Sequence, residues 1–352
     1  MSRLKPTQIT FLEPKTRFTI VIVFRNEVPH LKDLVASFTR VDYPNTMFEL
    51  ILVDDASTDG SRELLDEELS ATSLRYRVIR NIENTRSPKK AGISLAVDMA
   101  RSDWIITTDA DCELPKQWLR HYDQVIQKER PKMVCGPVIY SAPKGFLSGY
   151  QFLDGLSLQA VAMSGFGWGI PFLCNGANQG YSKFAFQKVQ GYKGNDHIAS
   201  GDDVFLLEKM QNAYPGEIVF LKNKNAIVVT KPVESWSNLI SQRIRWASKT
   251  SEQSRMLPKF IGLIVFLVNL MLIIAAILSI FDAAHLVWLG GFFVIKLLLD
   301  LGILWLAAKH LGRSLSVLHH LVSSYIYPLL TVVVVFRSLF GTYRWKGRKF
   351  IK

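Results

Sequence analysis

Apolar residues change their spacing several times along this chain, and each change predicts an element. Phe18–Phe24 (FTIVIVF) is a short, mostly β-branched run and predicts a buried strand. From Pro29 to Phe38 the apolar positions are Leu31, Leu34, Val35 and Phe38, the spacing of one helix face. Phe48–Val53 (FELILV) predicts a second strand, closed by a turn and helix-start signal from Asp54 to Gly60. A helix over Ser61–Leu69, a short strand over Tyr76–Ile79, a helix over Lys89–Met99 and a strand over Trp104–Thr108 follow. Strand and helix alternating through short links predict an α/β fold with a doubly wound, mostly parallel sheet. From about Met133 to Lys231 the pattern is less regular, with a glycine- and aromatic-rich stretch at Gly145–Gly180.

The last hundred or so residues read differently. Phe260–Phe281 carries no charge until Asp282, which is long enough to cross a bilayer as a helix, for which about 20 residues suffice. Leu286–Ala308 is a second candidate, despite Lys296 and Asp300, and Val317–Phe336, interrupted by Pro328, a third. The organisation expected is a cytoplasmic domain over 1–232, an interfacial segment over 233–258 and a membrane region over 259–352.

Charge sharpens this. Among 352 residues the net charge is +12. Much of the basic excess flanks the apolar runs, at Arg243, Arg245, Lys249, Arg255 and Lys259 before them and Arg344, Lys346, Arg348, Lys349 and Lys352 after them. Basic residues at span ends mark the cytoplasmic face and anionic lipid. With no recognition motif and no separate basic domain, nucleic acid is not an expected partner. The N-terminus (MSRLKPTQITFLEPK) lacks the apolar core of a signal peptide, so the expected location is multi-pass in the inner, cytoplasmic membrane with the large domain cytoplasmic. Three full spans would carry the basic tail Tyr343–Lys352 outside, against the positive-inside tendency. The third run is therefore expected to re-enter or lie in the interface, an expectation that a tail tag accessible only from the periplasm would end. Cys112, Cys135 and Cys174 lack metal-like spacing and are expected to be free thiols.

The candidate chemistry is acidic. Asp109 and Asp111 follow the predicted strand at Trp104, at the carboxyl edge where open α/β sheets bind ligands. If extended, residues two apart point the same way, and two such carboxylates offer hard oxygens to Mg²⁺ or Mn²⁺. Asp54 and Asp55 end the second strand at the same edge, suited to a nucleobase imide or ribose hydroxyl, or equally to helix capping. Lys89 and Lys90 open a helix against its dipole, a cost that points to an anionic partner. Asp202 and Asp203 precede an apolar helical run, so that one can cap it and the other act as a general base. Gln242, Arg245 and Trp246 lie just before the first apolar run. Guanidinium and indole groups there suit a diphosphate and a sugar ring, or an interfacial belt.

Together FRNE (Phe24–Glu27), VDDASTDGS (Val53–Ser61), KKAG (Lys89–Gly92), DAD (Asp109–Asp111), GANQGY (Gly176–Tyr181), SGDD (Ser200–Asp203) and QRIRW (Gln242–Trp246) occur in the order of membrane-anchored family 2 glycosyltransferases. The chain resembles that family, whose wider group includes cellulose and hyaluronan synthases and ceramide glucosyltransferase, over about residues 18–250. The resemblance implies a glycosyltransferase A-type fold followed by transmembrane helices. It also implies an inverting hexosyltransferase. Asp54 or Asp55 would hold the nucleobase, with Glu27 and Lys90 in the nucleotide-sugar-binding set. Asp109 and Asp111 would hold the donor diphosphate, Asp111 through Mg²⁺ or Mn²⁺. Asp203 would be the base, with Asp202 beside it where the family has Glu. Gln242, Arg245 and Trp246 would line the acceptor and diphosphate site. The implied partners are a nucleotide sugar, UDP-linked above all, and a lipid or glycan acceptor at the membrane, which Gly145–Gly180 could help dock. Few apolar spans favour transfer of one or a few sugars over processive polymer export. The alternatives are a short-chain processive synthase, a nucleotidyltransferase and a catalytically silent membrane scaffold.

Overall fold

The computed structural model describes residues 1, 3–5, 12–82, 85–340, 343–345 and 348–350. Lys346 and Lys352 of the basic tail, and Asn84 before the lysine pair, lie outside the described residues. The chain divides into two compact units, Met1–Ser141 with Val161–Lys231, and Ala142–Ala160 with Pro232–Lys352.

The first unit begins with the expected alternation: β1 (Phe18–Phe24), α1 (Val28–Thr39), β2 (Phe48–Asp54), α2 (Ser61–Ser70), β3 (Tyr76–Arg80), α3 (Pro88–Met99) and β4 (Trp104–Thr107). These four strands run parallel in the order β3-β2-β1-β4. Leu31, Leu34, Val35 and Phe38 are the buried face of α1, joining Phe18, Ile20 and Ile22 of β1 in one core. β4 ends at Thr107, opposite Val21, whereas β1 runs on to Phe24 opposite Asp54. The chain after β4 therefore leaves the sheet at its carboxyl edge, the edge at which β1 and, beyond it, β2 also end.

Next come β5 (Cys112–Glu113), α4 (Trp118–Glu129), β6 (Met133–Cys135), β7 (Val138–Tyr140) and α5 (Phe146–Gly167), within which the division between the units falls. β8 (Gln179–Ser182), α6 (Lys183–Lys188), α7 (Asp202–Ala213), β9 (Ile218–Phe220) and β10 (Val228–Thr230) complete the unit. Here the sheet stops being purely parallel. Its full order is β3-β2-β1-β4-β8-β6-β9, with β8 antiparallel to both β4 and β6. The cause is local. The turn Gly176–Asn178 sits at the carboxyl edge, where Thr107 Oγ1 donates to the Gly176 carbonyl at 2.6 Å. A strand leaving that turn can only run back along β4. A small sheet, β5-β10-β7, lies beside it.

Asn178 fixes this half of the unit. It is wholly buried. Its Oδ1 accepts from Trp118 Nε1 and the Tyr122 hydroxyl, both at 2.9 Å. Its Nδ2 donates to the carbonyls of Pro137 at 2.9 Å and Ala226 at 3.0 Å. One amide thus joins α4, the β6–β7 link and the approach to β10, using its full bonding capacity. Residue 136 must be glycine, because a Cβ there would sit 2.3 Å from Asn178 Nδ2. All three cysteines are buried free thiols.

The second unit holds the start of α5, then α8 (Trp236–Glu252), α9 (Met256–Phe281), α10 (His285–His310), α11 (Val317–Phe340) and the strands β11 (Tyr343–Trp345) and β12 (Arg348–Phe350). α9, α10 and most of α11 are long and apolar enough to cross a membrane. Their large apolar side chains are widely exposed, as on a lipid-facing surface. α11 is continuous through Pro328, so the third run is one helix, with no break such as re-entry would need. Lys296 and Asp300 pair with each other one turn apart on α10, which removes the cost of two isolated charges. Gln151 and Val233 exchange two hydrogen bonds of 2.9 Å, and Asp154 pairs with Arg243 where both side chains are largely, though not fully, covered.

Two expectations follow for the first unit. Asn178→Ala strands two donors and two carbonyls in the core and lowers stability by about 3 kcal/mol or more, read as a fall in melting temperature of the detergent-solubilised chain. His121 is buried on α4 with neither ring nitrogen bonded, and burial holds its pKa down to about 4. The unfolded chain takes up that proton near pH 6.5 and the folded one does not. Stability is therefore full above pH 6.5 and falls as the pH drops towards 4, by up to about 3 kcal/mol. A melting series over that range should flatten in His121→Leu.

Candidate active site

The carboxyl edge of the sheet gathers the acidic residues. Asp54 and Asp55 are both buried at the end of β2. Asp54 Oδ1 accepts from the Ser57 N–H at 3.0 Å, and Asp55 Oδ1 accepts from Asn81 Nδ2 at 3.0 Å. Neither caps α2, whose N-cap is Gly60. The neighbouring loop is held by Asp59, which accepts from the Ser61 N–H and hydroxyl and the Val28 N–H. Glu27 is the N-cap residue of α1, and its N–H donates to Ser61 Oγ at 2.8 Å.

Asp109 and Asp111 are brought to this edge by a turn, not by strand alternation. The Cys112 N–H donates to the Asp109 carbonyl at 3.2 Å, closing the chain over Asp109–Cys112. Both side chains are half-buried. Beside them, burial and the two carboxylates push the Cys112 thiol well above its ordinary pKa, so it stays protonated.

The lysine that meets Asp109 is Lys89. Its Nζ lies 2.7 Å from Asp109 Oδ1 and 3.0 Å from Asp202 Oδ2. Burial alone would lower its pKa, but the two carboxylates outweigh it and the ammonium is held above its usual range. Lys90 turns the other way. It is 2 % exposed, and its Nζ donates to the carbonyls of Asn195 at 2.7 Å and Ile198 at 2.8 Å. A donor-binding role for Lys90 does not fit that burial. The signal was present in the sequence, because Lys90, Ile93 and Val97 recur at helical spacing on the buried face of α3.

Asp202 and Asp203 occupy the first turn of α7, where their charge favours the helix dipole. The N-cap is Gly201, so neither aspartate caps as expected. Asp202 is buried against Lys89, while Asp203 is half-buried and its Oδ1 accepts from the Val204 N–H at 2.8 Å. Lys89 thereby brings Asp109 and Asp202, far apart in sequence, to one point. Gln242, Arg245 and Trp246 lie in the second unit, on one face of α8. Gln242 Oε1 accepts from Arg243 Nη1 at 2.7 Å, and the Arg243 guanidinium stacks 4.2 Å from the Trp246 ring. Arg243, which the motif leaves unassigned, is thus the anchor of that segment.

A parallel β-core continued by an antiparallel strand, with paired carboxylates along its carboxyl edge, defines the glycosyltransferase A class of fold. Comparison agrees. Residues 19–189 match the family model of Glycosyl transferase family 2, and this part of the chain is a family 2 glycosyltransferase domain. The chain is 24% identical over 112 residues to a beta-monoglucosyldiacylglycerol synthase of Nostoc sp., covering 32% of this chain and 24% of that protein. It is 31% identical over 100 residues to an undecaprenyl-phosphate 4-deoxy-4-formamido-L-arabinose transferase of Aeromonas hydrophila, covering 28% and 30%. The matches thus span a quarter to a third of these curated relatives. Among solved structures, a mannosyltransferase of Pyrobaculum calidifontis in complex with GDP-Man and Mn²⁺ superposes with a TM-score of 0.56 at 16% identity. It covers 93% of this chain and 88% of that one, a likeness of fold.

Proposed function

We propose that the chain is a membrane-associated glycosyltransferase that moves a sugar from a nucleotide-sugar donor to a hydroxyl of a lipid-linked or membrane-proximal acceptor, with inversion. The observation that carries this reading is the carboxylate edge of a family 2 domain in a chain that has, among the described residues, three helices long and apolar enough to cross a membrane. Residues 1–232 would form the catalytic domain, 233–258 an interfacial segment and 259–352 the membrane region, with the catalytic domain on the cytoplasmic side. The curated relatives named for lipid or lipid-phosphate chemistry support the acceptor class.

Asp54 and Asp55 accept hydrogen bonds from the nucleobase or ribose, with Glu27 beside them. Asp109 and Asp111 face the diphosphate. Among the described residues no group of three or more His, Cys, Asp or Glu could hold a metal unaided. Two half-buried carboxylates in a turn, one of which already draws in the Lys89 ammonium, fit Mg²⁺ or Mn²⁺, which Asp109 and Asp111 would hold. When bound, such an ion neutralises charge that builds on the leaving nucleoside diphosphate. Asp203 takes the proton of the acceptor hydroxyl. As that oxygen bonds to the anomeric carbon, the bond from this carbon to the diphosphate oxygen breaks on the opposite face. Asp202 is held by Lys89, which leaves Asp203 the better base of the two. Gln242, Arg245 and Trp246 bind acceptor and diphosphate by hydrogen bonding and stacking.

Membranes with and without the active protein, given a panel of nucleotide sugars, should differ by one glycosylated lipid and by nucleoside diphosphate release. Release of pyrophosphate would make the chain a nucleotidyltransferase. Asp203→Asn keeps an oxygen for the Val204 N–H, so nucleotide binding should persist while turnover falls by about 100-fold or more. Asp111→Asn should instead abolish metal-dependent nucleotide binding, measured by calorimetry. Near-normal turnover in Asp203→Asn would move the base elsewhere.

A further inference from the structure

We propose that Lys89 is a positioning residue, a built-in counter-ion that ties the Asp109 carboxylate after β4 to the Asp202 carboxylate of α7 and so fixes where the first turn of α7 lies. What is positioned, the base Asp203, rests on the transferase reading; the tie itself rests on geometry alone. The ammonium stands 2.7 Å from one carboxylate and 3.0 Å from the other. The Lys89 side chain is 20% exposed and that of Asp202 12%, so water screens this half of the tie weakly, while Asp109, at 37%, is the more solvated end. The surroundings are built around it. A Cβ on Gly176 would lie 2.7 Å from Asp202 Oδ2 and 3.6 Å from Lys89 Nζ, so the backbone there closes directly on the pair. Gly176 is itself fastened to β4 through Thr107. Lys89 also stands in the first turn of α3, where the helix dipole opposes a cation, and the two carboxylates offset that cost.

The linkage is one of charge. Without the ammonium, two carboxylates from different elements repel, and α7 keeps only neutral ties to the sheet edge such as the 3.2 Å hydrogen bond from Gln179 Nε2 to the Asp203 carbonyl. Lys89→Met in the detergent-solubilised full chain, with EDTA and no nucleotide, should melt about 5 °C below the wild type. Lys89→Arg, which keeps the charge, should stay within about 2 °C of it. The double variant Lys89→Met/Asp202→Asn, which removes the repulsion as well, should recover roughly half of the loss. The proposal is overturned if Lys89→Met melts with the wild type, if Lys89→Arg falls as far as Lys89→Met, or if the double variant melts no higher than Lys89→Met. Should Lys89→Met fail to fold, a folded double variant supports the tie and an unfolded one overturns it. Binding of UDP-glucose and GDP-mannose to the wild type is measured in parallel. Its absence would count against the transferase reading and leave the melting contrast untouched.

Discussion

Concentrating carboxylates at one edge of a sheet is electrostatically costly, and the rest of the first unit is arranged to make it tolerable. Asp54 and Asp55 are satisfied by a backbone N–H and by Asn81. Asp203 takes the Val204 N–H and lies, with Asp202, at the positive end of α7. Asp109 and Asp202 share the one ammonium of Lys89. Without that shared cation the end of β4 and the start of α7 would repel, and their register would rest on neutral contacts such as the hydrogen bond from Gln179 Nε2 to the Asp203 carbonyl.

The mixed half of the sheet depends on a different interaction of the same kind, a buried polar group with all its bonds made. Asn178 bonds four partners on three segments through one amide. An apolar residue could fill the space but could not choose between registers, whereas four directed hydrogen bonds admit one arrangement. The GANQGY segment therefore has two structural roles: Gly176 lets the backbone close on the Lys89–Asp202 pair, and Asn178 locks the strands behind it.

In the second unit, burial inverts. The long helices are apolar outward, and polar groups of the unit pair with one another, at Lys296 with Asp300, Gln151 with Val233, and Asp154 with Arg243. Arg243 stacks on Trp246 and bonds Gln242, so the face that presents Gln242, Arg245 and Trp246 is held by a residue from outside that set.

The sequence alone determined what depends on near neighbours. β1, β2 and β3 and the helices α1, α2 and α3 stand within a residue or so of their expected bounds, because spacings of two and 3.6 are local. The apolar runs likewise declare three helices by length and composition. The parallel core was legible, and so was the acidic edge, since a carboxylate after a buried strand can lie only at the end of the sheet. What the sequence left open involves partners far along the chain. Helical periodicity could have told Lys89 from Lys90, but nothing local says that Lys89 finds Asp202. The tertiary structure alone turned β8 antiparallel, replaced strand alternation at Asp109–Asp111 by a tight turn, and split α5 between two units. The reason is physical: periodicity specifies which face of an element is buried, while ion pairs and buried amides specify what it is buried against, and those partners meet only when the chain has folded.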